Sequence, residues 1–209
     1  MTENFDGGLP AGWTVNNLSS PVGTTDWFQG NPTVFGSHQG AANSYLAANF
    51  NNGAGVADIS NWLILPSSTY HNGDTLSFYT RTVDDSFWPD NLEVRFSNVG
   101  GTNVGSTSSS VGTFTTLLAS VNPALDVGGY PEGWSQYSVT LSGLSGATTG
   151  AFAFRYVVAD GGPSGDNSNF IGIDTLQITA VPEPGTYLMM GAGLALLGLM
   201  RKRQQQAAA

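Results

Sequence analysis

Leu92, Val94 and Phe96 alternate with Glu93 and Arg95, and Tyr137, Val139 and Leu141 alternate with serine and threonine. Phe152, Phe154, Tyr156 and Val158 do the same with Ala153, Arg155 and Val157. A two-residue period places successive side chains on opposite faces of a strand, so each segment has one face to bury. Residues 61–65, 75–82 and 170–178 read the same way. Turn chemistry separates the segments: His71-Asn72-Gly73-Asp74, Gly100-Gly101, Gly128-Gly129 and Ser145-Gly146. No segment before Tyr187 keeps a helical period. Half-buried strands without helices to cover them must pair their apolar faces in two layers, so residues 1–180 are expected to form an all-β jelly-roll sandwich. Residues 97–116, SNVGGTNVGSTSSSVGTFTT, are low in complexity and read as a loop or a loosely held edge.

The last 30 residues follow a different rule. Tyr187 to Met200 reads YLMMGAGLALLGLM without a charge, and Arg201, Lys202 and Arg203 follow at once. As a helix this run covers about 20 Å, short of a hydrocarbon core of about 30 Å. Snorkelling of Arg201, inclusion of Gly185 and Thr186, and local thinning of the bilayer close part of the gap. A single C-terminal transmembrane helix over 187–200 is the expectation, with 201–209 as a basic cytoplasmic tail and everything before it extracytoplasmic. Pro182 and Pro184 interrupt strand pairing just ahead of the span, making 181–186 an extended linker. Pro182, Glu183 and Pro184, then a short Gly- and Leu-rich span, then a basic cluster together resemble the PEP-CTERM sorting signal of Gram-negative, exopolysaccharide-producing bacteria. That resemblance implies a membrane-embedded exosortase as partner, with Pro182, Glu183 and Pro184 as its recognition residues. It implies an exported protein, anchored in the inner membrane before processing and at the cell surface or outside the cell afterwards. The trailing QQQAAA departs from the family's usual ending near its basic cluster. The opening MTENFDGGLP has neither a basic region nor an apolar run, so an upstream signal peptide missing from this sequence is expected.

Charge narrows the function classes. Net charge is -9, and Arg81, Arg95 and Arg155 are the only cationic side chains before the tail. Nucleic-acid binding needs a basic footprint that releases phosphate counterions, so that class is excluded. With no cysteine, thiolate catalysis and cysteine metal sites are excluded as well. His38 and His71 stand apart in polar loops and read as surface histidines.

Across the body a second resemblance accumulates. Glu3-Asn4-Phe5-Asp6 is followed by Leu9-Pro10-Ala11-Gly12-Trp13, then by Asn61-Trp62-Leu63-Ile64-Leu65-Pro66, Leu76-Ser77-Phe78 and Leu92-Glu93-Val94-Arg95. Gly133-Trp134, Phe152-Ala153-Phe154-Arg155-Tyr156 and Ile171-Gly172-Ile173-Asp174 close the series. In this order the pieces are similar to cleaved-adhesin, MAM-like jelly-roll domains of the choice-of-anchor J group. The resemblance implies a calcium ion between first and last strands, with Glu3 and Asp174 as its ligands and Asp160 and Asp166 as weaker ones. The competing reading leaves Glu3 exposed and Asp174 bonded to backbone. No other cofactor is expected.

Two readings of function follow. In the first, the chain is a surface or matrix protein with an adhesive or structural role in exopolysaccharide or biofilm. In the second it is a carbohydrate-binding module acting through Trp88 with Asp85 and Asp90, because residues 84–90 form a loop between two strands and an exposed indole stacks on sugar rings. Trp13, Trp62 and Trp134 are read as core. Asp84, Asp85, Asp90 and Glu93 contain the carboxylates a glycosidase needs. Asp at a strand start ordinarily serves a turn, and no Ser/His/Asp set, phosphate loop or HExxH accompanies them, so an enzyme is not expected.

Overall fold

In the computed structural model, which describes residues 1–181, each of the six alternating segments is a strand. The strands in chain order are β1 (Thr2–Glu3), β2 (Thr14–Asn17), β3 (Ser20–Val22), β4 (Phe28–Gln29) and β5 (Leu46–Asn49). They continue with β6 (Gly53–Ile64), β7 (Ser68–Tyr70), β8 (Thr75–Arg81), β9 (Leu92–Ser97) and β10 (Thr116–Val121). The last three are β11 (Ser135–Thr140), β12 (Thr148–Gly161) and β13 (Phe170–Thr179). One sheet runs β11-β8-β13-β5-β4, and β1 pairs with β13 beyond the end of β5. The other runs β10-β9-β12-β6-β2, extended by β3 on β6 and β7 on β12. Every pairing is antiparallel. The protein is an all-β sandwich, and its single described helical element is the 3₁₀ turn Phe50–Asn52. Among the described residues no helix is long and apolar enough to cross a membrane. The expected sorting motif at 182–184, the span over 187–200 and the basic stop at 201–203 lie outside the described residues.

The apolar face of each alternating segment turns into the space between the sheets. Leu76 and Phe78 of β8 and Ile171 and Ile173 of β13 meet Val94 and Phe96 of β9 and Phe152, Phe154 and Tyr156 of β12, all at most 1% exposed. Phe78 stands edge-on to Phe154 with ring centroids 4.8 Å apart. Burial contributes roughly 1.5–3 kcal/mol for each such phenylalanine, so this layer dominates the favourable side of folding.

Both outer faces are covered as well. Residues 98–115 fold back over the second sheet and bury Val104 and Phe114 against Trp62, Ile64, Ala151 and Ala153. Residues 97–116 are thus mostly the expected loop, but the expectation that it is loosely held is corrected: most of its polar residues are exposed or half-buried, while Val104 and Phe114 are at most 1% exposed. Arg155 lies over the Trp62 ring at 5.1 Å and donates to the carbonyl of Ser108 within the same segment. On the first sheet, Phe35 and Tyr45 cover Ala47 and Phe170, with Trp134 packed beside them. Gly172 of β13 makes this possible, because a Cβ there would stand within 3.0 Å of Trp134, Tyr45 and Phe35.

Candidate functional site

Residues 82–91 connect β8 to β9 and place two consecutive aromatic rings in solvent: Phe87 is 75% exposed and Trp88 50%. Exposed large aromatics are costly unless they serve contact, since their apolar area is left in water. The loop beneath them is pinned. Ser86 Oγ donates to the Trp88 carbonyl at 2.9 Å, and Asn169 Nδ2 donates to Ser86 Oγ at 2.8 Å. The Ser168 N–H donates to the Pro89 carbonyl at 2.9 Å. Arg81 fastens the near end of the loop to Asp84 at 2.6 Å. Neither ring therefore hangs on a free segment.

Concavities lie on both sides of this loop tip. Trp88 walls one of about 210 Å³ together with Phe50 and the 162–169 loop, represented by Pro163 and Asn169. Phe87 walls another of about 190 Å³ with Asp85, Val127 and Glu132. A narrow neck of about 10 Å³ shares Trp88 with the first and Ser86, Gly128 and Glu132 with the second. Linked in series by these shared residues, the three form a trough along the loop tip whose walls carry Phe87, Trp88 and the carboxylates of Asp85, Asp126 and Glu132.

Asp90, expected at the sugar-contacting surface, is fully buried, which corrects that assignment. It stands two residues before β9, in the connecting loop, with its side chain turned inward. Oδ1 accepts from the Tyr156 hydroxyl at 2.5 Å and from the Asn169 N–H at 2.7 Å, and Oδ2 accepts from Thr82 Oγ1 at 2.7 Å. Burial pushes its carboxyl above the ordinary range, against the pull of these three donors. Asp90 thus ties the Trp88 loop to β12 and to the 162–169 loop from below, and Asp85 is exposed at the rim. Burial pushes the Glu93 carboxyl up, but Arg95 and Arg155 outweigh it and hold it below the usual range. Their guanidinium nitrogens approach it at 2.6 and 3.1 Å.

Of the expected calcium ligands, Glu3 and Asp174 stand on paired strands, Glu3 of β1 lying opposite Leu176 of β13, whereas Asp160 and Asp166 belong to the end of β12 and the loop after it. Asp174 sits at a bulge of β13, where the register against β8 shifts and Thr175 takes a left-handed φ of 49°. Its carboxylate accepts three backbone N–H groups, from His38 at 2.7 Å, Gln39 at 3.0 Å and Thr175 at 2.5 Å, so it clamps the 36–40 loop to the sheet. His38 completes the clamp by stacking on Tyr79 at 3.7 Å and bonding Thr175 through Nδ1 at 2.8 Å. Glu3 spends Oε1 on the Phe5 N–H. Asp160 is exposed at the end of β12 and Asp166 on the loop that follows. Among the described residues no three His, Asp or Glu side chains gather as a metal site. Neutral oxygens near β1 fit a hard cation better: Asn4 Oδ1 and Ser44 Oγ are buried without a hydrogen-bond partner. Asp6 Oδ1 and Ser44 Oγ lie 2.6 and 3.1 Å from where a Cβ on Gly40 would stand. Sequence reasoning missed Phe50, Pro163, Asn169, Val127 and Glu132, because each comes from a loop distant in the chain.

Comparison with known proteins places this geometry. Residues 180–204 match the PEP-CTERM protein-sorting motif. No curated protein matches the chain. Among solved structures, the K1 cleaved adhesin domain of Lys-gingipain from Porphyromonas gingivalis W83 is similar with a TM-score of 0.61 and 24% identity, over 87% of this chain and 98% of that one. The K3 domain of the same protein gives 0.58 and 20% identity, over 85% and 95%. A structure of carbohydrate-binding modules from the β-sandwich superfamily gives 0.52 and 12% identity, over 85% and 60%. The chain thus carries a PEP-CTERM sorting motif behind a jelly-roll sandwich with the fold of the cleaved adhesin domains.

Proposed function

We propose that this is an exported surface or matrix protein, sorted by an exosortase through Pro182, Glu183 and Pro184, whose sandwich holds it to exopolysaccharide by binding sugar and is not an enzyme. The observation that carries the binding reading is the pinned, half-exposed Trp88 on the wall of an open concavity. An indole held in place loses little entropy on stacking against a ring, so its buried area converts efficiently into affinity. Names of similar folds support the two halves of the proposal, one as adhesin domains and the other as carbohydrate-binding modules. Three of the four carboxylates that the sequence offered for glycoside hydrolysis make structural contacts, which supports a binding role: Asp90 is fully buried under the loop, Glu93 is held by two arginines and Asp84 is paired with Arg81. Membrane anchoring by 187–200 before processing belongs to the same proposal, as does a structural calcium near Glu3, drawing on Asn4, Asp6 and Ser44 rather than on Asp174.

Retention of the full-length protein, in detergent, on a polysaccharide panel tests the binding half. Trp88→Ala is expected to weaken retention about tenfold or more while leaving the unfolding transition in place, since the ring is half in solvent. Equal retention of wild type and variant would sink the reading.

A further inference from the structure

Charge around the trough points to a more specific ligand, and the inference rests on the sugar-binding reading above. Apart from the buried Asp90 and Tyr130, the ionisable side chains that line the three concavities are all carboxylates: Asp85, Asp126 and Glu132. No lysine occurs in residues 1–181, and each of the three arginines is already paired, Arg81 with Asp84, and Arg95 and Arg155 with Glu93. A uronate, sulfate or phosphate group entering the trough would meet like charge and find no cation to pair with, a juxtaposition that disfavours binding. The two larger concavities flank one loop tip, each walled by its own aromatic ring, Trp88 on one side and Phe87 on the other. Each is smaller than the about 300 Å³ of a typical enclosed small-molecule pocket, and both are open.

We propose that the trough binds an uncharged glycan chain lying across the Phe87-Trp88 tip, with sugar units in contact with both rings, and that it discriminates against acidic polysaccharides. Stacking supplies the contact and Asp85 and Glu132 supply hydrogen-bond acceptors for sugar hydroxyls. The same acids repel polyanions. Because no ion pair forms across the interface, affinity changes little with salt.

The test measures binding of the full-length protein, in detergent, to soluble neutral xylan, galactan and dextran, to polygalacturonate, and to a neutral oligosaccharide series of rising length. Expected are binding to at least one neutral polymer with less than about twofold change in Kd between low and 0.5 M salt, and none to polygalacturonate. Phe87→Ala and Trp88→Ala should each raise Kd about tenfold, and oligosaccharides that reach both rings should bind more tightly than the monosaccharide. Salt-sensitive binding to polygalacturonate alone would overturn the neutral-glycan assignment while leaving a sugar-binding trough. Equal affinity for monosaccharide and oligosaccharide, or an unaffected Phe87→Ala, would overturn the two-ring chain. Binding to none of the polymers would overturn the sugar-binding reading itself.

Discussion

Asp90 touches no solvent, yet it positions the most exposed tryptophan among the described residues, because three elements meet at its carboxylate: β12 through Tyr156, the end of β8 through Thr82, and the 162–169 loop through Asn169. Its pH behaviour has a definite sign. Burial raises the folded carboxyl's pKa above the unfolded value, so the native state holds more proton there than the unfolded chain does. The stability it contributes is fully present below about pH 4 and is lost as pH rises through the higher folded value. Glu93 has the opposite sign, since its folded pKa is depressed: its contribution is present above about pH 4.3 and lost as pH falls through the folded value. Asp90→Asn keeps one acceptor oxygen and removes the titration. Denaturant unfolding of that variant between pH 4 and 8 should therefore give a flatter stability profile than wild type. A parallel profile would mean that Asp90 does not titrate in this window. Asp90→Ala strips the acceptor from three donors and should cost about 3 kcal/mol or more, an unfolding shift readable at a single pH.

Strands and loops differ in how much of their role the sequence betrays. Phe114 belongs to a segment with no regular structure, yet it is fully buried against Trp62 with ring centroids 5.8 Å apart. Truncating such a ring leaves a cavity that a sheet face cannot collapse to fill. Phe114→Ala should cost about 3–5 kcal/mol in denaturant unfolding, whereas a loosely held loop would lose well under 1 kcal/mol. The alternating segments were legible because one of their faces is packed and the other carries polar or small side chains, as in β8, where burial alternates at every position. β5 was not, since Leu46, Ala47 and Ala48 are all buried and leave no period. β10 was not either, because as an edge strand it exposes Leu117 and carries a bulge. Single apolar anchors such as Val104 and Phe114 have no period at all. The site shows the same limit. Trp88 was readable from its place in a short loop between two strands, but its facing walls come from residues 50, 128 and 163, and pairing of distant loops leaves no local signature. Asp90 misled because, in a loop two residues ahead of a strand, sequence does not say which way a side chain turns.

On the scale of the whole chain, charge and anchoring divide the molecule. Fourteen of its 15 acidic residues precede Glu183, while half of its six cations stand at 201–203. The sandwich therefore carries a strong negative field, and a divalent cation bound to it would offset local repulsion as well as pin loops. Calcium is expected to raise the melting temperature of wild type and chelator to reverse the shift. Asp6→Asn should abolish the response, and an unchanged melting temperature in wild type would remove the ion from the proposal. In the sequence, Pro182 and Pro184 lack the backbone N–H that a strand ladder needs, which suits the proposed recognition of this stretch by a processing enzyme. In the native cells, mass spectrometry of the mature protein should find a product shortened near residue 182, released or surface-bound. Replacing Pro182, Glu183 and Pro184 with alanine should yield only full-length, membrane-held chain, because recognition is lost while the apolar run and its basic stop remain. If both forms stay full-length in the membrane, the tail is a plain anchor, and the trough would then meet glycan from a protein tethered at the membrane instead of one delivered beyond it.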